Sequence, residues 1–383
     1  MLGALPPLPQ NSDAPDLKGP RMHRRLFAQG TAISALTTLA AASSYPLGAH
    51  AKAPSASSAP RPLKPPRLPE RGVIGIVSPG SYMEADALEQ CVRRIEGLGF
   101  NVRLGSHVLA RQGHLAGSVA QRVADLHAMF ADDSVHAIWT ARGGYGCSGL
   151  LPYLDYRLIR RKPKILLGYS DITALLLGIF QRTGLVTFHG PVAWSSLTDF
   201  SVQHLLPLLM YPRAQTTLAL APENLAKALT NPFFKTRTLR AGVGQSTSQG
   251  RLLGGNLSVL CGLLGTPYMP GLKDAMLFLE EIGEPPKKID RMLTQIAQQP
   301  DYARMAGAVC GVFEKCGPTD TDPSLTLDEV LDGALGAQAA ERWPSVYGYS
   351  FGHIAHQVTL PLGVRARLDS AAQTLTLLEP AVG

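Results

Sequence analysis

The fold is decided by Val73-Ile74-Gly75-Ile76-Val77, a continuous apolar run that stops at the polar turn Ser78-Pro79-Gly80-Ser81. A short apolar run that ends in such a turn is typical of a parallel strand buried on both faces. Apolar residues then recur at helical spacing over 88–98, Gly99 follows, and residues 100–104 alternate like a second strand. The sequence therefore predicts a βαβ unit at the start of the folded region.

The same alternation of helices and strands continues along the first half of the chain. A helical stripe covers residues 119–130, and apolar runs at 135–140 and 164–167 have the length and composition of further strands. This alternation indicates an α/β domain built on a parallel sheet. A site in such a domain is expected at the carboxyl ends of the strands.

A second domain is expected after the pattern loosens over residues 195–250, where Pro, Thr, Gln and Gly are frequent. Beyond that stretch the sequence predicts helices near 257–264 and 288–297 and strands near 275–279, 307–313 and 374–377. We therefore expect a first, α/β domain over 72–215 and a second, mixed α+β domain over 245–383.

The N-terminal residues have the order of an export signal. Arg24-Arg25-Leu26-Phe27 forms a basic head of the twin-arginine type, a mildly apolar stretch follows, and Ala49-His50-Ala51 is a small-x-small cleavage site. An amphipathic N-terminal helix is the alternative. We expect residues 1–51 to be the signal, residues 52–71 to be a proline-rich linker, and the mature protein to work in the periplasm.

The composition excludes several classes of protein. With 383 residues, 45% hydrophobic and 17% charged, the chain is neither disordered nor fibrous. No apolar run reaches the roughly 20 residues that cross a bilayer, so no integral membrane segment is expected in the mature protein. The formal charge of +7 is not gathered into one basic block, so nucleic acid is not an expected partner.

The five cysteines are Cys91, Cys147, Cys261, Cys310 and Cys316. They form no C-x-x-C pair and have no matched histidine spacing, so the sequence predicts no metal site. Cys310 and Cys316 could pair in an oxidising compartment, but thiols scattered through a core are the favoured interpretation.

A glycine loop, residues 141–149, directly follows a predicted strand. Gly144, Gly146 and Gly149 match G-x-G-x-x-G, which in a dinucleotide fold precedes a helix that holds the pyrophosphate. Because Pro152 soon follows, a nicotinamide enzyme is only a minor alternative and no cofactor is expected. The other use of such a loop is to offer backbone N–H groups to an anion or a developing oxyanion.

A serine stands between a strand and a helix in Ile165-Leu166-Leu167-Gly168-Tyr169-Ser170-Asp171-Ile172. A serine on a sharp strand-to-helix turn exposes its Oγ, and the first helical amides point toward charge that forms beside it. Ile172 stands where the nucleophile motif G-x-S-x-G has its second glycine. A nucleophile and a simple helix cap therefore both remain possible for Ser170.

The second predicted domain supplies an acid and a base. Glu280 and Glu281 end an apolar strand, and His353 follows the aromatic and glycine turn Tyr349-Ser350-Phe351-Gly352. A nucleophilic serine needs a base, and the base needs an acid to orient it, so a Ser, His and Glu set is the minimum for acyl transfer. Each of these residues alone has an ordinary structural explanation.

Together these motifs resemble the serine LD-carboxypeptidases of murein recycling, peptidase family S66. The resemblance is carried, in chain order, by Gly72 to Ser81, Ala141 to Gly146, Gly168 to Ala174, His189-Gly190-Pro191, Leu253-Gly254-Gly255-Asn256, Glu280, Ile289 to Leu293, and Phe351-Gly352-His353. It implies a flavodoxin-like first domain, a smaller β-rich second domain and a homodimer.

The resemblance also implies residue roles. Ser170 would be the nucleophile, His353 the general base and Glu280 its orienting acid, while the backbone N–H groups of Gly144 and Asp171 would form the oxyanion hole. The implied reaction is release of a C-terminal D-amino acid, D-Ala, from a murein tetrapeptide. From the chemistry of such a substrate, Arg142 is a candidate to bind its free carboxylate, or else pairs with a neighbouring acid.

Two alternatives to this activity remain at the level of sequence. One is a same-family hydrolase of peptide-nucleotide antibiotics, as in the microcin-immunity branch. The other is a periplasmic peptide-binding protein, which a two-domain α/β chain behind an export signal could equally be. A binding protein has no use for an aligned Ser, Glu and His.

Overall fold

The computed structural model describes residues 60–319, 324–336 and 343–383. The predicted export signal and the first part of the predicted linker, residues 52–59, lie outside these residues.

The described residues form the following strands and helices. The strands are β1 (Val73–Val77), β2 (Asn101–Leu104), β3 (Ala137–Thr140), β4 (Ile165–Gly168), β5 (Phe188–His189), β6 (Thr216–Leu218), β7 (Arg237–Arg240), β8 (Thr247–Asn256), β9 (Ala275–Ile282), β10 (Gly307–Glu314), β11 (Ser345–Tyr347), β12 (Leu360–Pro361), β13 (Arg365–Asp369) and β14 (Thr374–Leu377). The α-helices are α1 (Ala85–Gly97), α2 (Val119–Ala131), α3 (Tyr156–Arg161), α4 (Thr173–Thr183), α5 (Asp199–Met210), α6 (Pro222–Lys227), α7 (Leu257–Cys261), α8 (Pro286–Ala297) and α9 (Leu327–Ala334).

The first sheet has the predicted α/β architecture. Its strands lie in the order β12-β5-β4-β3-β1-β2, and β1 to β5 are parallel. The order 2-1-3-4-5 is that of flavodoxin-like folds, in which the site lies at the carboxyl ends of the strands. Every residue of β3 and β4 is buried, and alternate residues face opposite sides, so both faces of the sheet are covered.

The second sheet contains the remaining strands in the order β6-β14-β13-β8-β9-β10-β11-β7. The four central strands β8 to β11 are parallel, and the outer pairings are antiparallel. This mixed, β-rich sheet and the parallel first sheet confirm the predicted fold class. The stretch 195–250, which reads as irregular in the sequence, contributes α5 and α6 as well as β6, β7 and the start of β8.

One strand connects the two sheets. After β11 the chain returns to the first sheet, where β12 pairs antiparallel with β5 through Leu360 opposite His189 and Pro361 opposite Phe188. The chain then re-enters the second sheet as β13 and β14.

Residues 60–71 lie against the fold, whereas the sequence predicts a linker that extends away from it. The Leu63 N–H donates to the Gly184 carbonyl at 2.8 Å, and the Val186 N–H donates to the Leu63 carbonyl at 2.9 Å. Leu68 is buried in the main core. The reason is that two leucines among the prolines supply apolar area, and proline does not prevent strand-like pairing at a sheet edge.

The five cysteines are all buried and unpaired, as the favoured interpretation of the sequence has it. Burial raises the pKa of Cys310 and Cys316 to about 12, so both remain protonated thiols at neutral pH. No helix in the described part of the chain is both long and apolar enough to span a bilayer.

Candidate active site

Ser170 lies on a strained turn at the carboxyl end of β4. The strand ends at Gly168, Ser170 begins a single 3₁₀ turn to Ile172, and α4 follows at once. The φ angle of Ser170 is +63°, a value that a residue with a side chain adopts only when its surroundings enforce it. The N-cap residues of the 3₁₀ turn and of α4 are Tyr169 and Ile172, so Ser170 is the N-cap of neither. The turn therefore has the geometry of a nucleophile elbow rather than of a helix cap.

The glycine loop packs directly against this turn. A Cβ on Gly143 would lie 2.9 Å from Ser170 Cβ and 3.2 Å from Ser170 Oγ, so only glycine allows the loop so close. Gly144 has a φ of +96°, and a Cβ there would collide with the Ser81 hydroxyl. As Pro152 predicts, the loop continues into a short 3₁₀ helix, Ser148–Tyr153, and not into a long α-helix.

The second sheet contacts the segment that follows Ser170 through strand β8. The Asn256 N–H donates to Thr173 Oγ1 at 3.0 Å, at the start of α4. In the parallel pairing of β8 with β9, Asn256 lies opposite Glu280. One hydrogen bond and one register thus place Glu280 of the second sheet near the start of α4, three residues after Ser170.

Glu280 and His353, for which the sequence predicts the roles of acid and base, form a hydrogen-bonded pair. His353 Nδ1 lies 2.7 Å from Glu280 Oε2, and Glu280 is completely buried. Burial alone would raise the pKa of Glu280, but the charge and hydrogen bond of His353 outweigh it and hold that pKa below its ordinary value. Burial would lower the pKa of His353, and the Glu280 carboxylate outweighs that effect and raises it.

The imidazole of His353 is held next to the nucleophile turn. Its ring centroid lies 4.8 Å from that of Tyr169, the residue that precedes Ser170. A second, completely buried histidine, His189, lies behind the pair against Phe278 and Phe351. Burial lowers the pKa of His189 to about 4, so its imidazole is neutral at physiological pH.

Glu281 faces away from the base, as expected for a neighbour along a strand. Its carboxylate accepts hydrogen bonds from Asn256 Nδ2 at 3.0 Å and from the N–H and Oγ of Ser258 at 2.8 and 2.6 Å. Glu281 is also buried, and burial raises its pKa. It supports the start of α7 and provides a matched control for Glu280.

Arg142 occupies the exposed start of the glycine loop, one residue before Gly143. Its guanidinium makes one hydrogen bond, from Nη1 to the Tyr82 carbonyl at 3.3 Å. No carboxylate in the described part of the chain lies within ion-pair distance of it, so it does not simply neutralise a neighbour. Most of its donors remain available to a ligand.

Three groups that hold the glycine loop were not predicted from the sequence. They are the Ser81 hydroxyl, the buried Arg122 guanidinium and the Asp171 carboxylate. Each forms a hydrogen bond with the backbone of the glycine loop, and Arg122 also bonds to the turn after β1. One of the three, Arg122, could have been found from the sequence. It lies between Val119 and Leu126 on the apolar face of a helix, and a charged residue on such a face indicates a buried polar contact.

Comparison with known families agrees with this architecture. A model of the LD-carboxypeptidase N-terminal domain matches residues 74–190, and a model of the LD-carboxypeptidase C-terminal domain matches residues 249–368. The fold and these matches define a two-domain carboxypeptidase. The chain belongs to peptidase family S66, and it is a hydrolase.

Several relatives cover most of this chain. A probable murein peptide carboxypeptidase from Bacillus subtilis is 34% identical over 314 residues, which are 82% of this chain and 94% of the relative. The murein tetrapeptide carboxypeptidase of Pseudomonas aeruginosa is 35% identical over 307 residues, 79% and 94% of the two chains. The microcin C7 self-immunity protein MccF of Escherichia coli is 27% identical over 339 residues, 83% and 96% of the two chains.

A solved structure shows the same fold. The crystal structure of an MccF-like protein from Bacillus anthracis matches with a TM-score of 0.71 and 31% identity, over 83% of this chain and 99% of that one. The family and the hydrolase class expected from the sequence motifs are therefore confirmed.

The Glu280 and His353 pair predicts a specific pH dependence. His353 is a base only when neutral, and Glu280 raises its pKa, so kcat/KM should rise with pH through a value above the ordinary histidine pKa of about 6.5. In Glu280→Gln the negative charge that raises the pKa of His353 is lost, while the burial that lowers it remains. The rise of kcat/KM with pH should therefore occur at lower pH in this variant. An NMR titration of the His353 imidazole in substrate-free protein checks the same shift.

Glu281→Gln is the control for this prediction. Its carboxylate is only the last and smallest of the groups that raise the pKa of His353, so the variant should move the acid limb much less. A larger shift in Glu281→Gln than in Glu280→Gln would contradict the assignment of the acid.

Proposed function

We propose that this protein is a serine LD-carboxypeptidase that removes the C-terminal D-Ala from murein tetrapeptides. The observation that carries the proposal is the 2.7 Å bond between His353 and buried Glu280, beside a half-buried serine with a φ of +63° on a strand-to-helix turn. Relatives named for murein peptide and murein tetrapeptide cleavage support the substrate class.

In the proposed mechanism, His353 Nε2 takes the Ser170 proton as Oγ attacks the carbonyl carbon before the terminal residue. The oxygen of that carbonyl becomes an oxyanion, which the backbone N–H groups of Gly144 and Asp171 stabilise. When the C–N bond breaks, the protonated His353 gives its proton to the leaving amine of D-Ala. Water, deprotonated by the same imidazole, then attacks the acyl-enzyme and releases the shortened peptide.

Glu280 stays ionised throughout this cycle. Its Oε2 fixes the tautomer in which Nδ1 carries the proton, so that Nε2 is the free base. It also stabilises the imidazolium that forms when the serine is deprotonated. Its low pKa, caused by His353 despite complete burial, keeps it charged over the working pH range.

Arg142 is the group we propose for the free carboxylate of the substrate. Its exposed guanidinium lies one residue from Gly143, which contacts Ser170, and it can form a bidentate bond with a carboxylate. An exopeptidase needs such a cation to select the end of a chain. A carboxylate bound there would leave the terminal peptide bond within reach of the serine.

A second candidate function is cleavage of peptide-nucleotide antibiotics. It is supported by the similarity to MccF and to the MccF-like structure. We rank it second because the relatives with the higher identities, 34% and 35%, are named for murein peptides. A peptide-binding protein without activity is disfavoured by membership of a peptidase family.

Purified protein without residues 1–51 should release one alanine from a murein tetrapeptide, observed by mass spectrometry. Ser170→Ala and His353→Ala should each reduce turnover by about 10⁴ to 10⁶, and the double variant little further, because the groups act as a unit. A wild-type protein that leaves the tetrapeptide intact but cleaves a peptide-nucleotide conjugate would favour the second candidate. Full activity in Ser170→Ala would disprove the serine mechanism.

Arg142→Gln should reduce kcat/KM for the free tetrapeptide by about 10- to 100-fold, since one charged hydrogen-bond partner is lost. The same variant should cleave a tetrapeptide with a C-terminal amide as well as the wild type does. Arg93→Gln, an exposed arginine on α1, is the control and should change neither value. An equal loss on both substrates would show that Arg142 does not bind the carboxylate.

The cellular location and the assembly are also proposals. We infer export to the periplasm from Arg24-Arg25 and the Ala49-His50-Ala51 cleavage site, and a homodimer from the family resemblance. Sedimentation at several protein concentrations measures the assembly, and a single species of monomer mass would exclude the dimer.

Replacing Arg24 and Arg25 by lysine should leave the precursor in the cytoplasm, because the twin-arginine route reads that pair. Fractionation and N-terminal sequencing should find mature wild-type protein in the periplasm beginning at Lys52. Normal export of the double-lysine variant would exclude the twin-arginine route but not a general signal.

A further inference from the structure

Two buried charges lie beside the glycine loop, and the mechanism above does not use them. Arg122 on α2 is 3% exposed, and the side chain of Asp171, next to the nucleophile, belongs to a residue that is 6% exposed. Charged groups are almost never buried so deeply without a strong partner. Both residues therefore require an explanation.

The attraction between the two charges does not explain their burial. Burial lowers the pKa of Arg122 and raises that of Asp171, and the attraction between the two charges does not reverse either shift. Arg122 Nε has no hydrogen-bond partner in the described part of the chain. Both charged forms are thus less favourable here than in water, so what these two side chains stabilise is the backbone to which they are hydrogen-bonded.

Apart from the bond between the Asp171 carboxylate and the Cys147 thiol, their hydrogen bonds end on the backbone around the proposed oxyanion site. Arg122 Nη1 donates to the Pro79 carbonyl at 2.8 Å and to the Gly146 carbonyl at 3.1 Å, which joins the loop after β1 to the glycine loop. From the other side, Asp171 Oδ2 accepts the Cys147 N–H at 2.9 Å. Residues 146 and 147 are therefore held between a cation and an anion.

This arrangement connects the two groups that stabilise the oxyanion. The backbone N–H of Asp171 is one proposed donor, and its side chain fixes the loop that carries the other donor, Gly144. Gly144 has a φ of +96°, and the carbonyl of the peptide before it accepts the Ser81 N–H at 3.0 Å. Ser81 lies in the same turn as Pro79, which Arg122 holds, so the direction of the Gly144 N–H depends on both this turn and the loop staying in place. A displacement of about 1 Å in such a donor costs about 10²-fold in rate.

We propose that Arg122 and the Asp171 carboxylate are positioning residues that fix the glycine loop and thereby orient the Gly144 N–H toward the oxyanion. The proposal rests on the proposed function only for its kinetic consequence. Its structural part, that these two side chains hold the loop in place, concerns the substrate-free protein.

The test compares Arg122→Met with Lys164→Met. Lys164 is a matched control because it is also a buried cation whose Nζ donates to two backbone carbonyls, those of Asp132 and Val135, but at the amino end of β4. Hydrogen exchange in substrate-free protein should become about tenfold faster over residues 143–147 in Arg122→Met, since a hydrogen bond of the loop is lost. It should remain unchanged there in Lys164→Met.

Kinetics on the tetrapeptide test the catalytic part. Arg122→Met should reduce kcat by about 10² with KM within about twofold, because the loss is confined to the transition state. It should also reduce the preference of the enzyme for the normal substrate over one with a thioamide at the scissile bond, since sulfur is a poor acceptor for the oxyanion donors. Arg122→Lys, which keeps the charge and the ability to donate a hydrogen bond, should give values between those of the wild type and Arg122→Met in each measurement. It replaces Arg122→Met in these tests if that variant does not fold.

The outcomes separate this proposal from the proposed function. If the wild type releases no D-Ala, the proposed substrate is wrong, while the exchange experiment still tests the hold on the loop. Equal exchange over residues 143–147 in wild type and Arg122→Met would overturn the proposal. A loss of kcat with an unchanged preference against the thioamide would also overturn it, because Arg122 would then not act through the oxyanion donors.

Discussion

The left-handed backbone of Ser170 is the constraint on which the rest of the structure depends. A φ of +63° is unfavourable for serine and persists only because β4 enters the turn, α4 leaves it, and Gly143 closes it from the side. The turn places Ser170 at the carboxyl edge of the first sheet. Any reagent that acts with Ser170 must therefore approach from that edge, which is where the second sheet lies.

The second sheet approaches this edge through β8 and β9. Asn256 at the end of β8 bonds to Thr173, and its register partner on β9 is Glu280, so the position of the acid follows from backbone pairing. His353 is then placed by Glu280 and by the ring of Tyr169. Because Glu280 is entirely shielded from water, its interaction with His353 is stronger than the same pair would be at a surface.

Much of this could be predicted from the sequence, because the strands of the first sheet are continuous apolar runs and Glu280 and His353 follow strong local signals. The glycine-rich end of β8 and the two-residue strands β5 and β12 could not, since their pairing depends on partners far away in the chain. The same applies to Arg122, whose partners at Pro79 and Gly146 meet only in the folded protein. Local patterns identify elements and reactive groups, whereas the contacts that orient them are long-range.

The return of the chain to the first sheet as β12 has a mechanical consequence. The segment that carries His353 begins at β11 in one sheet and ends at β12 in the other, so it is anchored at both ends. Proteins whose two domains open and close by a hinge motion depend on flexible connections between those domains. Here a wide separation of the two sheets would break either the pairing of β12 with β5 or the hydrogen bond between His353 and Glu280. The position of His353 is therefore tied to the relation between the two sheets.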